Sequence, residues 1–375
     1  MKKTICLLLA LCLVFSMTGC RKKKNNNQSN TTGVHNTQST ANNEQITDNK
    51  EMVAVSVPAV TEDTLATDNN VLFQYTYQHI SLILNKPDVA DRVILDFLNR
   101  VDSTKESADS VANMAKSAYR SGQNWIPYLY QVIYSPTRID HNVLSFSGSI
   151  EVFSGAPHPE RSCISASYDL QTGDTLTLAS IMTKDASVDV FCNFVLDGLK
   201  ELAEGDHLYE NYQGTVKDRF KVDPSTDESW YFTQTGLCFY FSPYEIAPYA
   251  SGIITVEIPY EKLTGVLHED YLPLKRNVPQ GSIQISPFNN VDLNGFSQFA
   301  EVVTNKEGSM FLAQTDNYVQ DIRLQIANKS ATYTVFAAYA LHQGDGIMIQ
   351  TDDATREKLK LTYKTGTQTA TATIG

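Results

Sequence analysis

The stretch LCFYFSPYEIAPYASGIITVEI, residues 237–258, decides the fold class of this chain. Leu237, Phe239 and Phe241 alternate with Cys238 and Tyr240, and Ile254, Val256 and Ile258 alternate with Thr255 and Glu257. A period of two is the signature of a β-strand, whose successive side chains point to opposite faces. Between the two strands lies a loop in which proline and tyrosine crowd together. Such a loop forms a stiff, amphipathic contact surface that loses little entropy on binding.

Working upstream, residues 72–84 also read as a strand, with Phe73, Tyr75, Tyr77 and His79 in alternation. Asn85-Lys86-Pro87 then forms a helix start with proline near the first helical position. Val89, Val93, Phe97 and Val101 follow at four-residue spacing, which predicts a helix of about three turns. A second helix is expected over residues 110–119. Residues 125–178 hold β-prone segments ending in a hairpin whose turn is residues 169–174. Val188, Phe191, Val195, Leu199 and Leu202 form one apolar stripe, a helix that should pack on a sheet. The pattern is α+β, with antiparallel sheets packed with helices.

Downstream, the texture changes at residues 274–280, and Pro279 and Gly281 suggest a short linker. Residues 70–274 are therefore read as one domain and residues 282–375 as a second. In the latter, β-like runs at 322–326, 333–341, 346–350 and 358–363 are separated by turn residues such as Asn328-Lys329 and residues 342–346. A smaller all-β, sandwich-like domain is the expectation. Gly344-Asp345-Gly346 lacks the spaced acidic ligands of a calcium loop, so a hairpin turn is predicted there.

At the other end, Lys2 and Lys3 precede an apolar run over residues 5–15 that is too short to span a bilayer. Residues 1–19 thus read as a secretory signal peptide. The signal ends at Met17-Thr18-Gly19-Cys20, which resembles the lipobox of bacterial lipoproteins. That resemblance implies a diacylglycerol and fatty-acyl (palmitate) anchor on Cys20 at the outer face of the cell membrane. The basic residues 21–24 would then adhere to anionic lipid head groups. Residues 20–69 are rich in Asn, Gln, Thr and Ser and are read as a flexible polar tether. Loss of Lys2 and Lys3 takes the net charge from -12 to -14, which argues against a nucleic-acid partner and fits a cationic one. Besides Cys20 the mature chain keeps Cys163, Cys192 and Cys238, an odd set; burial as small apolar residues is favoured over a single bridge.

Three segments are familiar as a set: Phe153-Ser154-Gly155-Ala156-Pro157-His158-Pro159, Tyr168-Asp169-Leu170-Gln171-Thr172-Gly173, and Phe241-Ser242-Pro243-Tyr244-Glu245-Ile246-Ala247-Pro248-Tyr249-Ala250-Ser251-Gly252. Together they resemble the extracytoplasmic domain of RsiV-like anti-sigma factors, over about residues 71–272. Similar paired domains of unknown function stand beside the catalytic domain of some peptidoglycan deacetylases and in bacterial lipoproteins. The resemblance implies a receptor-like module that, in one branch, binds lysozyme by filling its substrate cleft from loops. It places the ligand-binding face on Ser154, Gly155, Pro157 and His158 of one loop and Tyr244, Pro248 and Tyr249 of another. The chain departs from the sensor pattern in having no cytoplasmic anti-sigma segment and no spanning helix, and in adding the C-terminal region.

The residues alone leave two roles open for Tyr244 and Tyr249, as contacts for a ligand or as closures of the core. A lone loop histidine such as His158 is more often neither a metal ligand nor a titrating contact. No G-x-S-x-G, S-x-x-K, H-E-x-x-H, Walker loop or G-x-G-x-x-G occurs. Asp206, Glu210 and Asp218 lie near His207, where an acid/base or metal site is conceivable, but a solvated helical face explains them better. The expectation is a non-catalytic extracytoplasmic binding module without cofactor or metal, for lysozyme or another envelope ligand. The alternatives are a binder of peptidoglycan or another wall polymer, and an envelope hydrolase of unrecorded type.

Overall fold

The computed structural model describes residues 52–205, 207–225, 228–273, 278–290, 297–327 and 332–374. Cys20, the signal, the tether up to residue 51, Asp206 and the Asn328-Lys329 turn lie outside them. In chain order the strands and helices are β1 (Val53–Ser56), β2 (Ala59–Leu65), β3 (Val71–Gln78), β4 (Ser81–Leu84), α1 (Pro87–Asp102), α2 (Lys105–Ala118), β5 (Tyr128–Ile139), β6 (Val143–Phe153) and β7 (Glu160–Asp169). Then come α3 (Leu178–Ile181), α4 (Asp189–Gly198), α5 (Lys200–Glu204), α6 (Tyr212–Arg219), β8 (Trp230–Phe232), β9 (Gly236–Phe241), β10 (Ile254–Pro259) and α7 (Tyr260–Leu263). The remainder is β11 (Ile283–Pro287), β12 (Ser297–Val303), β13 (Ser309–Thr315), β14 (Val319–Ala327), β15 (Thr332–Leu341), β16 (Asp345–Thr351), α8 (Asp353–Arg356), β17 (Leu359–Thr365) and β18 (Gln368–Thr373).

The chain is α+β, and its sheets are mainly antiparallel. One five-stranded sheet runs β2-β3-β5-β6-β7. Its β3 and β5 are parallel, and the crossover between them carries α1 and α2, as parallel neighbours require. Val89, Val93, Phe97 and Val101 are all buried on α1, each contributing about 1.5–3 kcal/mol. Val93, Phe97 and Val101 meet Val132, Tyr134 and Phe146 in the first core. A second core packs α4 and α6 against the small sheet β10-β9-β8. In β9 every residue is buried, so the alternation seen in the sequence separates two packed faces, not an inner face from a wet one. The apolar stripe over residues 188–202 breaks at Leu199 into α4 and α5. Among the described residues no helix is long and apolar enough to cross a membrane.

The third core lies between the sheet β18-β17-β14-β15-β1-β4 and the sheet β11-β13-β16-β12, the sandwich expected of the C-terminal region. Its composition differs from the expectation. Ala54 of β1 pairs with Ala338 of β15, and Val55 of β1 with Leu82 of β4, so the first strands of the chain complete the C-terminal sheet. The 274–282 boundary is thus crossed by a continuous sheet. Residues 278–281 are held as well: Gly281 N–H donates to Thr365 Oγ1 at 2.9 Å. The range 20–69, expected to be a tether, holds β1 and β2 in its last part. β2 reads as polar because it is an exposed edge strand. Residues 342–346 turn between β15 and β16, which belong to different sheets, so the turn passes between the layers and is not a hairpin.

The layers are tied at β5, whose register slips between Pro136 and Arg138. Arg138 is only 2% exposed. Its Nε pairs with Asp140 at 2.7 Å, and its Nη1 donates to the Tyr260 hydroxyl at 2.8 Å and the Tyr271 carbonyl at 2.6 Å. Its guanidinium stands 5.1 Å from the Phe232 ring centroid. Burial opposes the charge, and Asp140 and Tyr260 outweigh it, holding the group protonated. On the far side Arg323 of β14 donates to the Pro136 and Thr137 carbonyls at 2.7 and 2.8 Å. Arg138→Ala leaves Asp140 buried without its cation, and we expect a loss of about 3–5 kcal/mol, read as a lowered urea midpoint with folded-state helicity retained.

Candidate functional site

Two loops from different sheets meet at one place on the surface. The first joins β6 to β7 and contains Ser154, Gly155, Pro157 and His158; the second follows β9 and contains Tyr244, Pro248 and Tyr249. The second loop is pinned from below by Ile246 and Ala247, which are buried in the second core. Ser242 N–H donates to Glu245 Oε2 at 2.9 Å, and Glu245 in turn pairs with Arg219 at 3.4 Å. Ser242 Oγ also accepts from the Cys163 N–H at 3.0 Å, which fastens the loop to β7.

On this base the His158 ring stacks on Tyr249 with centroids 4.1 Å apart and planes at 25°. Tyr244 lies against Tyr249 at 5.6 Å. The Pro159 carbonyl accepts twice, from the Tyr249 hydroxyl at 2.7 Å and from His158 Nδ1 at 3.1 Å, which sets the imidazole in its Nδ1–H tautomer. The result is an aromatic shelf of three rings, flanked by exposed Pro157 and Pro248. Gly155 does not join it. Gly155 has φ +89° and lies over Tyr128, where a Cβ would come 2.6 Å from the Tyr128 hydroxyl.

Tyr244 is 58% exposed and has φ +70°. Among the described residues the other non-glycine positions with positive φ are Asn69 and Asp321, types that tolerate the left-handed region. For a bulky side chain that conformation costs about 1–3 kcal/mol, and such strain clusters where function demands a given direction.

A cleft of about 370 Å³ lies beside the shelf. Its floor is one face of β5, β6 and β7: Gln131, Ile133 and Ser135, then Ser147, Ser149 and Glu151, then Arg161 and Cys163. Facing it are Tyr231, Tyr240, Ile253 and Thr255. Glu151 and Arg161 are cross-strand partners one pair before the end of the β6-β7 ladder, and they pair at 2.8 Å. Sequence reasoning missed this floor. The usable signal was Ser145, Ser147 and Ser149 alternating with Phe146, Gly148 and Ile150, a period-two run that turns hydroxyls away from the first core.

The three cysteines are free. Cys192 and Cys238 are buried, and Cys163 half-lines the cleft. Burial pushes the Cys163 thiol up to about 11, so it is not a thiolate at neutral pH. Glu210 precedes α6, and Asp218 is engaged by Lys221 at 2.7 Å. The described residues hold no cluster of three or more His, Cys, Asp or Glu that could hold a metal ion.

Replacing Tyr244 with glycine removes the left-handed strain and one exposed ring. We expect Tyr244→Gly to leave the urea midpoint unchanged or to raise stability by up to about 1 kcal/mol, whereas a structural tyrosine would lose stability.

No curated protein matches the chain. A crystal structure of a DUF3298-family member from Bacteroides fragilis NCTC 9343 aligns with 17% identity and a TM-score of 0.42, over 59% of this chain and 95% of that one. A DUF3298-family protein from Pseudomonas aeruginosa PAO1 aligns with 15% identity and a TM-score of 0.41, over 59% and 97%. Residues 181–261, which include most of the second core and the Tyr244–Tyr249 loop but not the His158 loop, match the family model described as a protein of unknown function, DUF3298.

Proposed function

We propose that this chain is a membrane-anchored extracytoplasmic module that captures a cell-envelope ligand, lysozyme foremost, on the shelf of His158, Tyr249 and Tyr244, and acts by binding without turnover. The observation that carries this reading is Tyr244: an exposed aromatic ring held in a costly backbone conformation beside two stacked rings. A rigid aromatic shelf loses little entropy on binding and suits a hot spot. The resemblance of the two loops to RsiV-like domains supports a protein ligand, and the acidic net charge, -12 before and -14 after loss of Lys2 and Lys3, would steer a cationic enzyme toward it. Anchoring rests on the signal and the lipobox ending at Cys20, with no part for nucleic acid. A second reading, capture of peptidoglycan or another wall polymer, is favoured by the flat ring faces of the shelf, on which sugar C–H groups stack.

The full-length chain, purified in detergent, should retain lysozyme on a column and slow its digestion of purified wall. Tyr244→Gly and Tyr249→Ala should weaken retention about tenfold or more. Binding to sacculi without binding to lysozyme would select the second reading, and binding to neither would remove both. In cells, Cys20→Ala should release the protein from the membrane fraction; retention there would defeat the lipid anchor.

A further inference from the structure

The serine-rich face of β6 and β7 is used in two different ways. At its lower end each hydroxyl has a partner: Ser145 and Ser167 bond each other at 2.8 Å, Ser145 accepts from the Phe232 N–H at 2.9 Å, and Ser165 donates to the Glu228 carbonyl. These bonds seat the β8-β9-β10 sheet on the larger one. At the upper end the same face opens into the cleft, and among the described residues the side chains of Gln131, Ser147, Ser149 and Thr255 make no hydrogen bond. Unused donors and acceptors converging on a half-enclosed space are what a polar ligand requires.

We infer that this cleft is a binding site for a neutral, polyhydroxylated ligand of one or two sugar rings. Charge argues for neutrality: Glu151 and Arg161 are the charged residues lining the cleft, and they satisfy each other at 2.8 Å. Neither an anion nor a cation finds an uncompensated partner there. The remaining lining interleaves hydroxyl and amide groups with Ile133, Ile164, Ile253 and the Tyr231 and Tyr240 rings. That mixture matches the two aspects of a sugar, hydroxyls at the rim and C–H groups on the faces. The volume of about 370 Å³ falls at the small end of ligand sites. Ile253 directly follows the loop that bears Tyr249, and Glu151 and Arg161 lie just below the hairpin that bears His158, so the cleft opens beside the shelf. The site goes beyond the shelf reading and does not depend on lysozyme being its ligand.

The test titrates the full-length chain in detergent with maltose, cellobiose and the N-acetylglucosamine dimer by calorimetry, with glucuronate and glucosamine as charged controls. At least one neutral disaccharide should bind and the charged sugars should bind more weakly. Ser149→Phe, a strand-compatible change that fills the floor, should abolish binding with the urea midpoint held. Gln131→Ala, which adds no bulk, should weaken binding about fivefold. Tyr244→Gly should leave disaccharide affinity within about twofold, whereas Ser149→Phe should leave lysozyme retention intact. Binding of no neutral disaccharide, preference for a charged sugar, or unchanged affinity in Ser149→Phe overturns the inference. So does loss in Tyr244→Gly equal to that in Ser149→Phe, which would move the site to the shelf.

Discussion

A guanidinium sealed inside the protein is the constraint around which the layers are arranged. Arg138 occupies a slip in the β5 register, and the groups that receive it are the Asp140 carboxylate in the turn after β5, the Tyr260 hydroxyl of α7 and the Tyr271 carbonyl. In a low-dielectric interior such a charge demands full satisfaction, so Asp140, Tyr260 and the Tyr271 carbonyl must arrive together. The second core therefore docks on the first in one orientation. Arg323 acts from the other side on the two carbonyls that the slip leaves free, and so fixes β14, and the sandwich with it, to the same point on β5. The shelf and the cleft inherit their geometry from this docking, since each is made of residues from both the five-stranded sheet and the β8-β9-β10 unit.

Much of the local structure was legible. The four-residue spacing of Val89, Val93, Phe97 and Val101 named α1 and its buried face, because burial on one side of a helix leaves that mark in any sequence. β9 and β10 were equally plain. What was not legible depended on distant partners. β2 carries Thr61, Glu62, Asp63 and Thr64 because it is an edge exposed to water, and such composition looks the same as a tether. β1 is too short to announce itself, and its burial on both faces comes from the first and third cores, with β4 and β15 pairing its two edges. A buried arginine cannot be told from a surface one without its acceptors.

The site was readable to a similar depth. The resemblance pointed to both loops, and His158, Tyr244 and Tyr249 do come together, but the double acceptor at the Pro159 carbonyl that aligns them is a backbone atom with no side-chain signature. The resemblance grouped Ser154 and Gly155 with them, but the hairpin sets Gly155 against Tyr128 instead. The positive φ of Tyr244 could not be foreseen, since its residue type argues against it. The hydroxyl floor of the cleft was visible in principle as a period-two serine run, yet serine in strands is easily passed over as solvent-facing.

The pairing of Ala54 with Ala338 has a bearing on how the molecule comes into being. Val53, Val55 and Val57 line the first core while Ala54 lines the third, so β1, paired on one edge with nearby β4, has no partner for its other edge until β15 exists. A chain emerging from one end must hold its opening strand in waiting across most of its length. Contacts of such long sequence separation are slow to form, so the β1–β15 edge closes late in folding.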